Sequence, residues 1–149
     1  MIAMASLTSS THPTARVAFS RLLWVGPLTI IAAIVANVII QQIAVAVLHP
    51  DPVFIPLTFA VPIVFTLIGV LGAVIVFAVI GRVSRNPIQL FRRVALVTLV
   101  FTFIPDILML ITGFDPGTTA ANVIVLMLMH AVAWAIAVGL LTRLARTDA

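Results

Sequence analysis

Four apolar runs set the problem this chain has to solve: Leu22 to Leu48, Leu57 to Ile80, Val94 to Thr112 and Ala120 to Leu141. A bilayer's hydrocarbon core is about 30 Å thick, which takes roughly 20 residues of helix at 1.5 Å each. In hydrocarbon the backbone must satisfy its own N–H and C=O groups, so runs of this length and separation are read as membrane-spanning helices. The first run would extend about 40 Å and must tilt or project. Composition agrees: 63% of the 149 residues are hydrophobic and 8% charged, with mean hydropathy +1.32. A soluble domain carries about a quarter charged residues. The expected fold is an all-α, up-down-up-down bundle of four transmembrane helices over residues 16–146. A flexible cytoplasmic tail is expected at 1–15 and a short tail at 147–149.

Arg16 and Arg21 ahead of the first run superficially resemble a secretory signal. The run is too long for a signal's apolar region, and no small-residue cleavage site follows it, so it is read as a retained span. Short connections separate the runs. His49-Pro50-Asp51-Pro52 and Gly113-Phe114-Asp115-Pro116-Gly117 are turns, and Asn86-Pro87 reads as an N-cap followed by a first helical residue. Thr118 or Thr119 is placed to cap the fourth helix.

Every basic residue is Arg and every acidic one Asp, giving a formal charge of +4. With four spans, the first tail, the 81–93 loop and the last tail share one side of the membrane and hold all the Arg residues. The opposite loops hold His49, Asp51 and Asp115. Positive-inside bias therefore places both termini in the cytoplasm. The Arg residues flank spans, so they are read as topology signals and not as a nucleic-acid surface, despite a pI near 11.8. Arg82, Arg85, Arg92 and Arg93 are candidate contacts for anionic lipids.

Asp106 is the one acid inside an apolar run, directly after Pro105. A charge at mid-span costs about 2.5–3.5 kcal/mol on insertion scales, so this side chain faces protein or water. Thr98, Thr102 and Asp106 follow at helical spacing and define a polar stripe. His130, in the fourth run, falls at broadly similar depth. In the first run Ala33, Asn37, Gln41 and Ala44 share a face, with Ile30, Ile34 and Val38 expected towards lipid. In the second, Thr58, Pro62, Thr66, Gly69 and Ala73 share one, with Gly72 as a further close-approach point. In the fourth, Asn122, Leu126, His130, Ala133 and Ala137 do. Small residues let neighbouring backbones approach, which places Gly69 at a helix contact. Trp24 and Trp134 are expected as interface anchors or packing residues.

The candidate intramembrane site is therefore Asp106, His130, Asn37, Gln41 and Thr102, and it has two readings. One is a structural clasp in which the polar groups satisfy one another and fix helix register. The other is a proton-handling or substrate-binding site, with Thr98 and Thr102 lining a path inward. The absence of Cys, Lys and Glu excludes thiolate and Schiff-base chemistry and Glu relays. Phosphate-binding loops, nucleophile elbows and metalloprotease motifs are absent. One acid and one histidine lack a nucleophile or metal set around them, so no catalytic residue, metal or cofactor is assigned. His49 and Asp51 on the first outer loop read as a solvated turn.

Arg21 entering the first span, Phe91-Arg92 opening the third, Pro105-Asp106 within it and Met129-His130 in the fourth carry a resemblance. The chain resembles a group of small bacterial four-span membrane proteins classed as a domain of unknown function, over roughly residues 16–145. The resemblance implies the bacterial cytoplasmic (inner) membrane and no particular activity. Two functional classes follow: a structural or accessory membrane subunit, and a small oligomeric transporter or channel using Asp106 and His130. The expected partners are the bilayer, anionic lipids, and a homo-oligomer or larger membrane complex.

Overall fold

The computed structural model describes residues 16–147, so the expected tail at 1–15 and positions 148–149 lie outside the described residues. Four helices make up the fold: α1 Phe19–Leu48, α2 Ala60–Val83, α3 Pro87–Thr112 and α4 Ala120–Leu144. Each is long and apolar enough to cross a membrane. The chain is a multi-pass membrane protein built as a four-helix bundle. α1 packs on α2 and α4, α3 packs on α4 and α2, and α2 also meets α4, which sets α1 and α3 at opposite corners.

Local chemistry ends each helix. α1 stops at His49, whose left-handed φ of 45° is followed by Pro50, and α3 stops at Gly113 with φ 61°. α3 begins at Pro87, although the Asn86 side chain makes no capping bond. Thr119 caps α4, its Oγ1 accepting from the Asn122 N–H at 3.2 Å. A single 3₁₀ turn, Ile55–Leu57, joins α1 to α2.

The buried residues of α1 form one seam, Leu22, Val25, Gly26, Thr29, Ala33, Asn37, Gln41 and Ala44, which contains the expected face. Ile30, Ile34 and Val38 are half-buried, and the residues facing outward are Ile31, Val35, Ile39 and Ile43. The seam is wider than expected because α1 is flanked by two helices.

On α2 the seam runs through Pro62, Thr66, Val70, Phe77 and Ile80, so the sequence-based face is off by one position in its middle. Gly69 and Thr58 are exposed, and a Cβ added at Gly69 or Gly72 meets nothing within 4 Å. The close approach falls on Gly26, where an added Cβ lies 3.3 Å from Val74 Cγ1.

Two apolar clusters fill the ends of the bundle. Val17, Leu22, Val25, Phe77, Ile80, Phe91, Leu141 and Ala145 occupy the Arg-bearing end, where the Phe77 and Phe91 rings meet edge to face at 4.9 Å. Phe54, Leu57, Met109, Val123, Leu126 and Met129 occupy the opposite end. A short strap closes the Arg-bearing end. β1 (Arg16–Val17) pairs antiparallel with β2 (Arg146–Thr147), and the Ala18 N–H donates to the Ala145 carbonyl at 2.9 Å. Val17 sits on Gly81, where an added Cβ would fall 2.7 Å from Val17 Cγ2.

These contacts predict opposite outcomes at two glycines. Gly26→Leu should lower thermal stability in detergent by about 1–3 kcal/mol through overpacking. Gly69→Leu should change it by less than about 0.5 kcal/mol, as expected of an outward-facing site. The reverse order would contradict the packing of α1 on α2.

Candidate functional site

Each helix contributes a polar side chain between the two apolar clusters: Asn37 from α1, Thr66 from α2, Asp106 from α3 and His130 from α4. Asp106 is set six residues before the end of α3, about 9 Å of helical rise. His130 lies ten residues into α4. The two side chains meet, with His130 Nδ1 3.2 Å from Asp106 Oδ2. Asp106 is buried, its side chain 7% exposed, whereas that of His130 is 40% exposed.

The same Nδ1 lies 2.9 Å from the Leu126 carbonyl oxygen, one turn earlier on α4. A carbonyl only accepts, so Nδ1 carries a proton in both the neutral and the cationic ring. That N–H is aimed at Leu126, and Asp106 Oδ2 is left close to the ring without an aligned donor. The contact is therefore chiefly one of charge and proximity. Protonation at Nε2 makes the ring a cation against the carboxylate. The Phe103 ring stands edge-on to the imidazole, with centroids 6.5 Å apart.

The other candidates do not join this pair. Asn37 Nδ2 donates to Thr66 Oγ1 at 2.8 Å, fastening α1 to α2 and leaving Asn37 Oδ1 buried without a partner. Gln41 Nε2 donates to the Leu57 carbonyl at 2.9 Å, tying α1 to the 3₁₀ turn. The expected three-way contact of Asp106, His130 and Asn37 is replaced by two pairs, one on each side of the bundle. Thr98 is exposed and bonds back to the Val94 carbonyl, and Thr102 bonds back to that of Leu99. The two threonines of the α3 stripe thus bond back to their own helix, and only Asp106 reaches a neighbouring one.

Thr66, the Leu57 carbonyl and the Trp134 indole were not singled out as site groups from sequence. Thr66 had a signal, since it lay on the small-residue face of α2. Trp134 Nε1 is buried with no partner, and Trp24 is exposed at the Arg-bearing end. A cavity of about 290 Å³ lies between the α1–α2 and α3–α4 loops, lined by His49, Asp51, Thr118 and Asn122 among others, and Asp106 does not border it. Asp51 closes a turn there by accepting from the Val53 N–H at 3.0 Å. Among the described residues no three metal-ligating side chains come together.

Fold and site together define a small four-span membrane protein with an Asn37–Thr66 contact between α1 and α2 and an Asp106–His130 contact between α3 and α4. The chain belongs to a family of unknown function, DUF6069, whose model matches residues 17–147. No curated protein and no solved structure matches it.

Contact between Asp106 and His130 predicts coupling. Asp106→Asn and His130→Gln should be non-additive in a double-mutant cycle of bilayer or detergent stability, by about 0.5–1.5 kcal/mol. Additivity within error would remove the pair.

Proposed function

We propose that this protein is a structural or accessory subunit of a bacterial cytoplasmic membrane, with both termini cytoplasmic. Its intramembrane polar groups serve to hold its own helices in register. The observation that carries this reading is where those groups point. Asn37, Gln41, Thr98, Thr102 and His130 all bond to protein, and three of the bonds go to carbonyls of their own helices. Interhelical bonds in membranes average about 0.6 kcal/mol each, enough to select one register among similar apolar packings. The outward faces are predominantly apolar and suit lipid or partner helices.

One observation favours the second reading, a small transporter or channel. Asp106 Oδ2 lacks an aligned donor, and the neighbouring imidazole is partly open at its edge. Proton flux into liposomes containing the purified protein, followed with a pH-sensitive dye under an imposed potential, separates the two. The structural role predicts flux no higher than in protein-free liposomes, for the wild type and for Asp106→Asn alike. Flux that Asp106→Asn abolishes, with folding intact, would establish transport.

Topology has its own test. Reporter fusions after residue 149 and within 82–92 should report cytoplasm, and insertions near Asp51 and Asp115 should report the outside. A cytoplasmic signal at Asp115 would overturn the orientation.

A further inference from the structure

Arg16, Arg21, Arg82, Arg85, Arg92, Arg93, Arg143 and Arg146 are all exposed, and the element order gathers them at one end of the bundle. Among the described residues no acid shares that end, for Asp51 and Asp115 are on the opposite loops and Asp106 is buried in α3. Asp148 follows in sequence outside the described residues. Three of the guanidinium groups are held by the fold. Arg21 Nη1 donates to the Arg146 carbonyl at 3.1 Å, Arg82 stacks 5.2 Å from the Phe19 ring centroid, and Arg92 Nη2 donates to Thr142 Oγ1 at 3.4 Å.

The side chains of Arg85, Arg93 and Arg143 make no hydrogen bond or ion pair among the described residues. They stand on short, fixed supports. Arg85 lies in the tight α2–α3 connection, where Ser84 Oγ accepts from the Asn86 N–H at 3.1 Å, and Arg93 and Arg143 lie on helices. A positive-inside signal is met equally by Lys or Arg. Arg alone offers a planar fork that matches phosphate oxygens in pairs.

We infer that the Arg-bearing end is a binding surface for the headgroups of anionic phospholipids in the adjoining leaflet, with Arg85, Arg93 and Arg143 as its principal free donors. A bilayer-embedded protein meets these phosphates at the depth where its helices end, and the surface needs no rearrangement to receive them. The surface is one-sided, because the opposite loops carry no Arg or Lys.

Trp24 supplies the probe, being exposed on α1 just inside Arg21. The full chain is reconstituted in phosphatidylcholine with increasing brominated phosphatidylglycerol, and separately with brominated phosphatidylcholine. Quenching of Trp24 is read after subtracting a Trp24→Phe blank. The expected relative association constant for the anionic lipid is several-fold above unity and falls in high salt. In the triple variant Arg85→Gln, Arg93→Gln, Arg143→Gln it should drop towards unity, losing most of that several-fold preference. A wild-type constant of unity would overturn the surface, whatever the variants do. An unchanged constant in a helical, monodisperse triple variant would overturn the assignment to these three residues. If the triple variant does not fold, the single variants Arg85→Gln and Arg143→Gln decide it by the same criterion.

Discussion

A polar atom inside hydrocarbon has no water to turn to, and this condition bears directly on how the four helices meet. Leaving a buried donor or acceptor unpaired costs about 1–3 kcal/mol in proteins. Lipid is as apolar as leucine, so helix association gains little from the hydrophobic effect. Asn37, Thr66 and Asp106 are consequently buried, with His130 half-buried beside Asp106, between the two apolar clusters. Sliding one helix by a turn would carry its polar residue into an apolar cluster, away from its partner. On the structural role proposed above, register would rest on the Asn37–Thr66 hydrogen bond and the Asp106–His130 contact.

The pairing is by neighbours. Asn37 meets Thr66 across α1–α2 and His130 meets Asp106 across α3–α4. α1 also packs on α4, and Gly26 lets α1 approach α2 at Val74. Pro105 withdraws one backbone donor from the Phe101 carbonyl, yet α3 remains helical through it. The strap of Arg16–Val17 on Arg146–Thr147 joins the two ends of the described chain beside Gly81, closing the Arg-bearing end where helix packing alone would leave it open.

Much of this was legible in the sequence, because bilayer thickness converts hydropathy directly into helices. The four spans, the capping Thr119 and the α1 seam through Ala33, Asn37, Gln41 and Ala44 follow from apolar length and helical period. Partner choice was not legible. Asn37 could be placed on a face, but sequence spacing does not say whether the opposing group belongs to α2 or α3. On α2, where nearly every side chain is apolar, Gly69 and Val70 differ only by rotation about the helix axis, so a small residue there does not by itself mark the contact. Gly26 is an isolated glycine among apolar neighbours, and only the placement of Val74 on α2 makes it a close approach. The terminal strap depends on pairing between segments far apart in sequence, which no local pattern announces.

The contact most central to this arrangement is the one between Asp106 of α3 and His130 of α4. It is open to direct observation without mutation, by magic-angle-spinning NMR of the labelled protein in bilayers. The ¹⁵N spectrum of His130 should show a protonated Nδ1, and that nitrogen should have a measurable dipolar coupling to the carboxyl carbon of Asp106. A deprotonated Nδ1, or no coupling between the two groups, would contradict the paired arrangement of α3 and α4.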